Sequence, residues 1–113
     1  MSPSRAEPAA LRRSAPVFAA LADPTRLRLL ARLGAGGPLS IARLTEGTDV
    51  TRQAVTKHLE VLAGAGLARS IRHGRERRWQ LQPQPLQDAG RALAAISRQW
   101  EEALGRLRAF VED

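Results

Sequence analysis

Apolar residues recur with two different periods along this chain, and each change of period marks an element. Between residues 51 and 65, Val55, Leu59 and Leu62 fall at i, i+4 and i+7, the spacing that gathers side chains on one stripe of a helix. Arg52, Gln53, Thr56 and Lys57 point the other way. The Thr51 hydroxyl can cap this helix by accepting from the freed backbone N–H groups of its first turn. The pattern predicts a helix over about 51–65, buried on one side and polar on the other.

Working from the start, residues 1–8 hold two prolines and little apolar content. Residues 1–14 are expected to be a disordered or loosely helical arm, with residues 15–113 as the folded domain. Pro16 should interrupt any continuous helix and suits the first position of a short one over about 16–22, burying Val17, Phe18 and Leu21. Asp23-Pro24 is a helix start, an acidic N-cap followed by proline. The helix over 25–33 places Leu27, Leu30 and Leu33 along one side, with Leu29 widening the stripe, until Gly34, Gly36, Gly37 and Pro38 stop it. Ser40 can cap a short helix over about 41–47, with Ile41 and Leu44 inward. The turn through Thr48, Asp49 and Val50 needs one residue that tolerates a left-handed backbone, and Asp49 is the expected one. Two helices joined so closely have helix-turn-helix spacing.

After Leu62 the period changes. Gly64 and Gly66 end the helix, Gly66 as its C′ residue. Residues 67–71 read as a strand, His73-Gly74 as a turn, and 76–82 as a second strand with Trp79 and Leu81 alternating inward. Beyond it, Leu86, Leu93, Trp100 and Leu107 repeat every seventh residue, and Ala89, Ile96, Ala103 and Phe110 form a second such series. These are a and d positions. A helix over about 85–111 is ~39 Å long at 1.5 Å per residue, longer than so small a domain needs. Its stripe is expected to pack against a second subunit.

Composition narrows the function. At 113 residues with 43% apolar content, the chain can build one small core and is expected to share burial with a partner. It contains no run of about 18 apolar residues, its start lacks a signal-peptide core, and it has no cysteine. The expected address is the cytoplasm, with no membrane partner. Residues 50–80 carry Arg52, Lys57, Arg69, Arg72, Arg75, Arg77 and Arg78 against Glu60 and Glu76, which is five of the seven net positive charges. Basic charge so clustered is the footprint of a polyanion. A basic hairpin after a helix-turn-helix is a wing, and the polar face over 51–65 has the side chains of a DNA-recognition helix.

These residues also resemble a known family. Ala20-Leu21-Ala22-Asp23-Pro24-Thr25-Arg26-Leu27-Arg28-Leu29-Leu30 is similar to the opening signature of ArsR/SmtB-type winged helix-turn-helix repressors. Val50-Thr51-Arg52-Gln53-Ala54-Val55-Thr56-Lys57-His58-Leu59 resembles their recognition helix, and Ala65-Gly66-Leu67 with the wing from Arg72 to Leu81 follows at the family spacing. The resemblance implies a mainly α fold with a small β-hairpin wing and a long C-terminal dimerisation helix. It also implies a homodimer that binds an inverted-repeat operator in double-stranded DNA and represses transcription. Many such proteins sense metals through paired cysteines, but here Ser40 and Ala42 stand where the thiols would be, and the last helix has no histidine. Soft metals need thiolate or imidazole ligands, so neither metal site nor cofactor is expected.

The expected DNA contacts are Thr51, Arg52, Gln53, Thr56, Lys57, His58, Arg72, Arg75, Arg77 and Arg78. Gln53 has the geometry to read adenine, and Arg52 or Lys57 to read guanine or hold phosphate. His58 lies at the edge of the buried stripe, where a hydrogen-bonded, half-buried histidine is the equal alternative. Arg77 shares parity with Trp79, so its head must emerge at the hairpin's edge, and Arg75 and Arg78 are better placed for phosphates or an adjacent minor groove. The expected dimer interface is Val17, Phe18, Leu86, Leu93, Ile96, Trp100, Leu107 and Phe110. An unidentified small-molecule or protein effector, including one held between the first and last helices, stays open. The alternative is a winged-helix protein-interaction module acting through its C-terminal helix. Catalysis has no support, because only His58 and His73 could act as neutral-pH bases and neither has a nucleophile or a phosphate loop apparent beside it.

Overall fold

The computed structural model describes residues 6–112. In chain order the elements are α1 (Ala6–Leu21), α2 (Pro24–Gly36), β1 (Leu39–Ser40), α3 (Ile41–Thr45), α4 (Arg52–Gly64), β2 (Ala68–His73), β3 (Glu76–Leu81) and α5 (Pro83–Glu112). The fold is mainly helical, with a three-stranded antiparallel sheet in the order β1-β3-β2 and a long C-terminal helix. None of the described helices is long and apolar enough to cross a membrane.

A helix the length of α4, 13 residues, is marginal by itself in water, so packing must hold it. Val55, Leu59 and Leu62 supply that packing and are fully buried, together with Leu29 and Leu33 of α2, Leu44 of α3 and Leu67 beyond α4. Burying each such side chain contributes roughly 1.5–3 kcal/mol. The core therefore sits beneath α4 and fixes which of its faces is left for solvent. Gly66, at φ 77, ends the helix. The Leu67 N–H returns to the Leu62 carbonyl and the Gly66 N–H to that of Ala63, both at 2.9 Å. This pair of bonds satisfies the last carbonyls and turns the chain into the hairpin.

Three sequence expectations are corrected and one strand is added. α1 runs unbroken through Pro16, so the expected break there is absent and residues 6–14, expected as a disordered or loosely helical arm, are part of that helix; residues 1–5 lie outside the described residues. Proline removes one i→i−4 bond, but Pro16 and Arg12 are both exposed, so water can take the released carbonyl, while Val17 and Ala20 anchor the opposite face. On α2, Leu27 is 49% exposed whereas Leu29 is 1% exposed; the stripe runs through Leu29, Leu30 and Leu33, with Arg26 on its flank. The left-handed residue before α4 is Gly47, at φ 75, and no described non-glycine residue has a positive φ. Glycine meets no Cβ penalty there, whereas aspartate would. Finally, Leu39 and Ser40 pair with Trp79 and Arg78 of β3, adding a strand too short to leave a periodic signal.

Candidate nucleic-acid interface

The first turn of α4 is capped by the residue before it. Thr51 Oγ1 accepts from the Ala54 N–H at 3.0 Å. Arg52, Gln53 and Lys57 are exposed along the adjoining face. Thr56 is half-buried and its hydroxyl donates to the Arg52 carbonyl at 2.9 Å, which leaves its lone pairs and methyl for a neighbour.

Sheet register settles where the wing's arginines point. Residues directly opposite in an antiparallel pair share a face, so Arg72 and Arg77 lie on the same side as Ser70 and Trp79. Trp79 is buried and its indole N–H has no hydrogen-bond partner among the described residues. Arg77 escapes burial by laying its guanidinium over that ring, 5.9 Å from the centroid, a cation–π contact. Two like charges face each other across the hairpin at Arg72 and Arg77, a repulsion an anion would relieve. On the other side Arg78 Nε donates to Glu76 at 2.7 Å, an exposed pair of small worth. The turn itself is Gly74-Arg75, between the paired His73 and Glu76. Only Gly74 has a positive φ, 66, as a two-residue II′ turn requires. Arg75 is thereby carried to the tip, exposed.

His58 is not on the open face. Its side chain is 23% exposed and turns toward α2, where Nδ1 lies 3.3 Å from Arg26 Nη1. Arg26 Nε donates to the Ala20 carbonyl at 2.5 Å, and the Arg26 N–H donates to Asp23 Oδ2 at 3.0 Å. That backbone bond, aided by the nearby Arg26 guanidinium, holds the Asp23 carboxyl below the ordinary 3.8. Sequence reasoning gave Arg26 no role and missed Arg32 altogether. The Arg32 guanidinium donates to the carbonyls of Leu44 and Arg43, each at 2.7 Å, and to that of Glu46 at 3.2 Å, closing the C-terminal end of α3. Neither arginine carries a pattern signal, because an inward-reaching arginine looks like any solvated one in sequence.

The apolar stripe of α5 divides in two. Ala89 and Ala92 are buried, and Leu86 packs on the core. Farther along, Leu93, Trp100, Leu107 and Phe110 are 52%, 64%, 59% and 81% exposed, with Leu104 and Val111 widening the strip. Val17 is 4% exposed inside its own core, and Phe18 packs against it; Val17 is therefore a core residue rather than a free interface position. Between α1 and α5 an open groove of ≈ 590 Å³ reaches Gly64 and Ala65 at the end of α4.

Residues 21–71 match a family described as a helix-turn-helix domain. The chain is 40% identical over 67 residues to an uncharacterised HTH-type transcriptional regulator of Bacillus subtilis (strain 168), spanning 54% of this chain and 73% of that protein. Among solved structures it is similar to an ArsR-like transcriptional regulator from Rhodococcus sp. RHA1, with TM-score 0.75, 35% identity and coverage of 88% of this chain and 92% of the other. It is also similar to a homodimeric winged helix-turn-helix DNA-binding domain from Mycobacterium bovis, with TM-score 0.60, 25% identity and coverage of 94% and 93%.

Proposed function

Since this chain belongs to the ArsR family of helix-turn-helix transcriptional regulators, we propose that it acts as a homodimeric repressor that needs no metal. In each protomer α4 enters the major groove of one half of an inverted repeat, and the two helices lie about one helical turn apart, ~34 Å. The single observation that carries this is the open face of α4, where Arg52, Gln53 and Lys57 stand exposed beside a wing whose tip is Arg75. Gln53 and Arg52 read base edges, Lys57, Arg72 and Arg75 hold phosphates, and Arg78 exchanges its weak bond to Glu76 for one.

Dimerisation through α5 is supported by the exposed apolar strip from Leu93 to Phe110 and by the homodimeric neighbour. A metal-free mechanism is supported by residue chemistry. The chain has no cysteine, and Ser40, at one position where thiol-bearing relatives place a ligand, spends its oxygen on the Arg43 N–H as the cap of α3. A DNA-binding regulator of this family has no catalytic task and works in the cytoplasm.

Salt dependence tests the interface as a whole. If the dimer neutralises about eight phosphates, log affinity falls against log salt with a slope near −7 in fluorescence anisotropy. Arg75→Ala should weaken selected and random duplexes alike and flatten that slope. A slope near zero for the unmodified protein would exclude the proposed contact set.

A further inference from the structure

We propose that Arg26 and His58 form a latch that sets the rotation of α4 about its own axis, which makes both of them positioning residues for DNA recognition. The latch rests on the reading that the open face of α4 meets the bases. The need for it follows from what the core cannot do. Val55, Leu59 and Leu62 decide which face is buried, but apolar contact is non-directional and lets a helix rock. With side chains about 5–6 Å from the helix axis, a roll of about 10° moves their ends by ~1 Å. Base reading tolerates about half of that. A directional bond at the edge of the stripe removes the freedom.

His58 supplies that bond from a suitable place. It follows Lys57 on α4 and faces an arginine that is itself immobilised. Arg26 is tied to the end of α1 through the Ala20 carbonyl and to the start of α2 through Asp23. The corner between α1 and α2 thus acts as a fixed post. A guanidinium only donates, so Nδ1 of His58 accepts and its proton resides on Nε2. Asp23 Oδ2, 3.9 Å from the same Nδ1, is beyond hydrogen-bond range and would need that nitrogen protonated, so at 3.3 Å Arg26 is the partner.

Two substitutions separate this role from a phosphate contact, because they mimic different ring nitrogens. Asparagine places its amide oxygen where Nδ1 stands, and glutamine places its polar end near Nε2. The probe is a duplex recovered by the protein itself from a randomised pool, and the readout is anisotropy across a salt series. His58→Ala should weaken binding about three- to tenfold, as the competent orientation falls to a fraction of ~0.1–0.3, with the salt slope unchanged. His58→Asn should recover affinity to within about twofold, and His58→Gln should not. Arg26→Lys, which cannot span both acceptors, should reproduce the His58→Ala loss and add nothing to it. Rescue by glutamine and not asparagine, or a slope flattened as much as by Lys57→Ala, would overturn the latch and return His58 to the backbone contacts. Arg52→Ala with Gln53→Ala is the control for the face itself. If that pair leaves affinity and sequence choice unchanged, the reading of α4 fails on its own. The latch is then judged by amide hydrogen exchange in α4, which should quicken in His58→Ala and not in His58→Asn; equal exchange in the two would overturn it.

Discussion

Asp23 joins two functions in one carboxylate. It caps α2, and through the backbone N–H of Arg26 it orients the residue that reaches the recognition helix. Its folded-state pKa lies below the ordinary 3.8, chiefly because the charged form accepts that N–H. The sign of the linkage is fixed by that direction. A depressed carboxylate contributes stability that is fully present above about 3.8 and is lost as pH falls through the lower folded value. Asparagine caps helices about as well as aspartate but does not titrate. Asp23→Asn should therefore match the parent near acid pH and fall below it in thermal midpoint at neutral pH. Parallel midpoints from neutral to acid would remove Asp23 from the acid response.

Elements of this chain were legible where a period ran long enough to leave no second choice. Val55, Leu59 and Leu62 marked α4 to within a residue at each end, and the Trp79–Leu81 alternation marked β3. Where one residue decided a conformation, pattern was silent. Proline reads as a break at Pro16, yet α1 passes through because its cost falls on the wet side. Aspartate and glycine both permit a left-handed turn before α4, and only the fold chose Gly47. The open face of α4 could be read from sequence because exposed and buried positions alternate by period; the inward turn of His58 depended on Arg26, 32 positions away. The two glycines at the end of α4 test how far this distinction goes, since sequence marks both as ending the helix and singles out Gly66 only as its C′ residue. Gly64 is inside the helix, and a Cβ there would meet nothing within 4 Å. Gly64→Ala should stabilise by about 0.5–1 kcal/mol. Gly66 has φ 77, and its Cβ would stand 3.3 Å from Pro85 Cγ. Gly66→Ala should cost about 1–2 kcal/mol and disturb the junction that aims the wing. Denaturant midpoints shifting in the same direction for both would refute this account of the helix end.

The whole molecule leaves an imbalance that one protomer does not resolve. Its core is complete around α4, yet α5 continues for 30 residues, ~45 Å at helical rise, and carries Leu93, Trp100, Leu104, Leu107, Phe110 and Val111 into solvent. Monomeric proteins rarely expose so continuous an apolar strip, and a tryptophan alone offers about 150–250 Å² for burial. A second copy laid along the same helix would cover it and set the two α4 helices at a fixed separation, so assembly and operator choice become one equilibrium. Trp100→Glu addresses that equilibrium without touching the protomer, because Trp100 is 64% exposed in the single chain and packs in no core. In the parent, the thermal midpoint should rise with protein concentration, as mass action requires of an associating fold. In Trp100→Glu that dependence should vanish, and sedimentation should report a single protomer. Each protomer then neutralises about half the phosphates, so the salt slope should fall from near −7 to about −3.5, and preference for the two-half-site duplex over one half-site should disappear. If the variant still sediments as a pair and keeps the full slope, α5 is not the surface that joins the protomers.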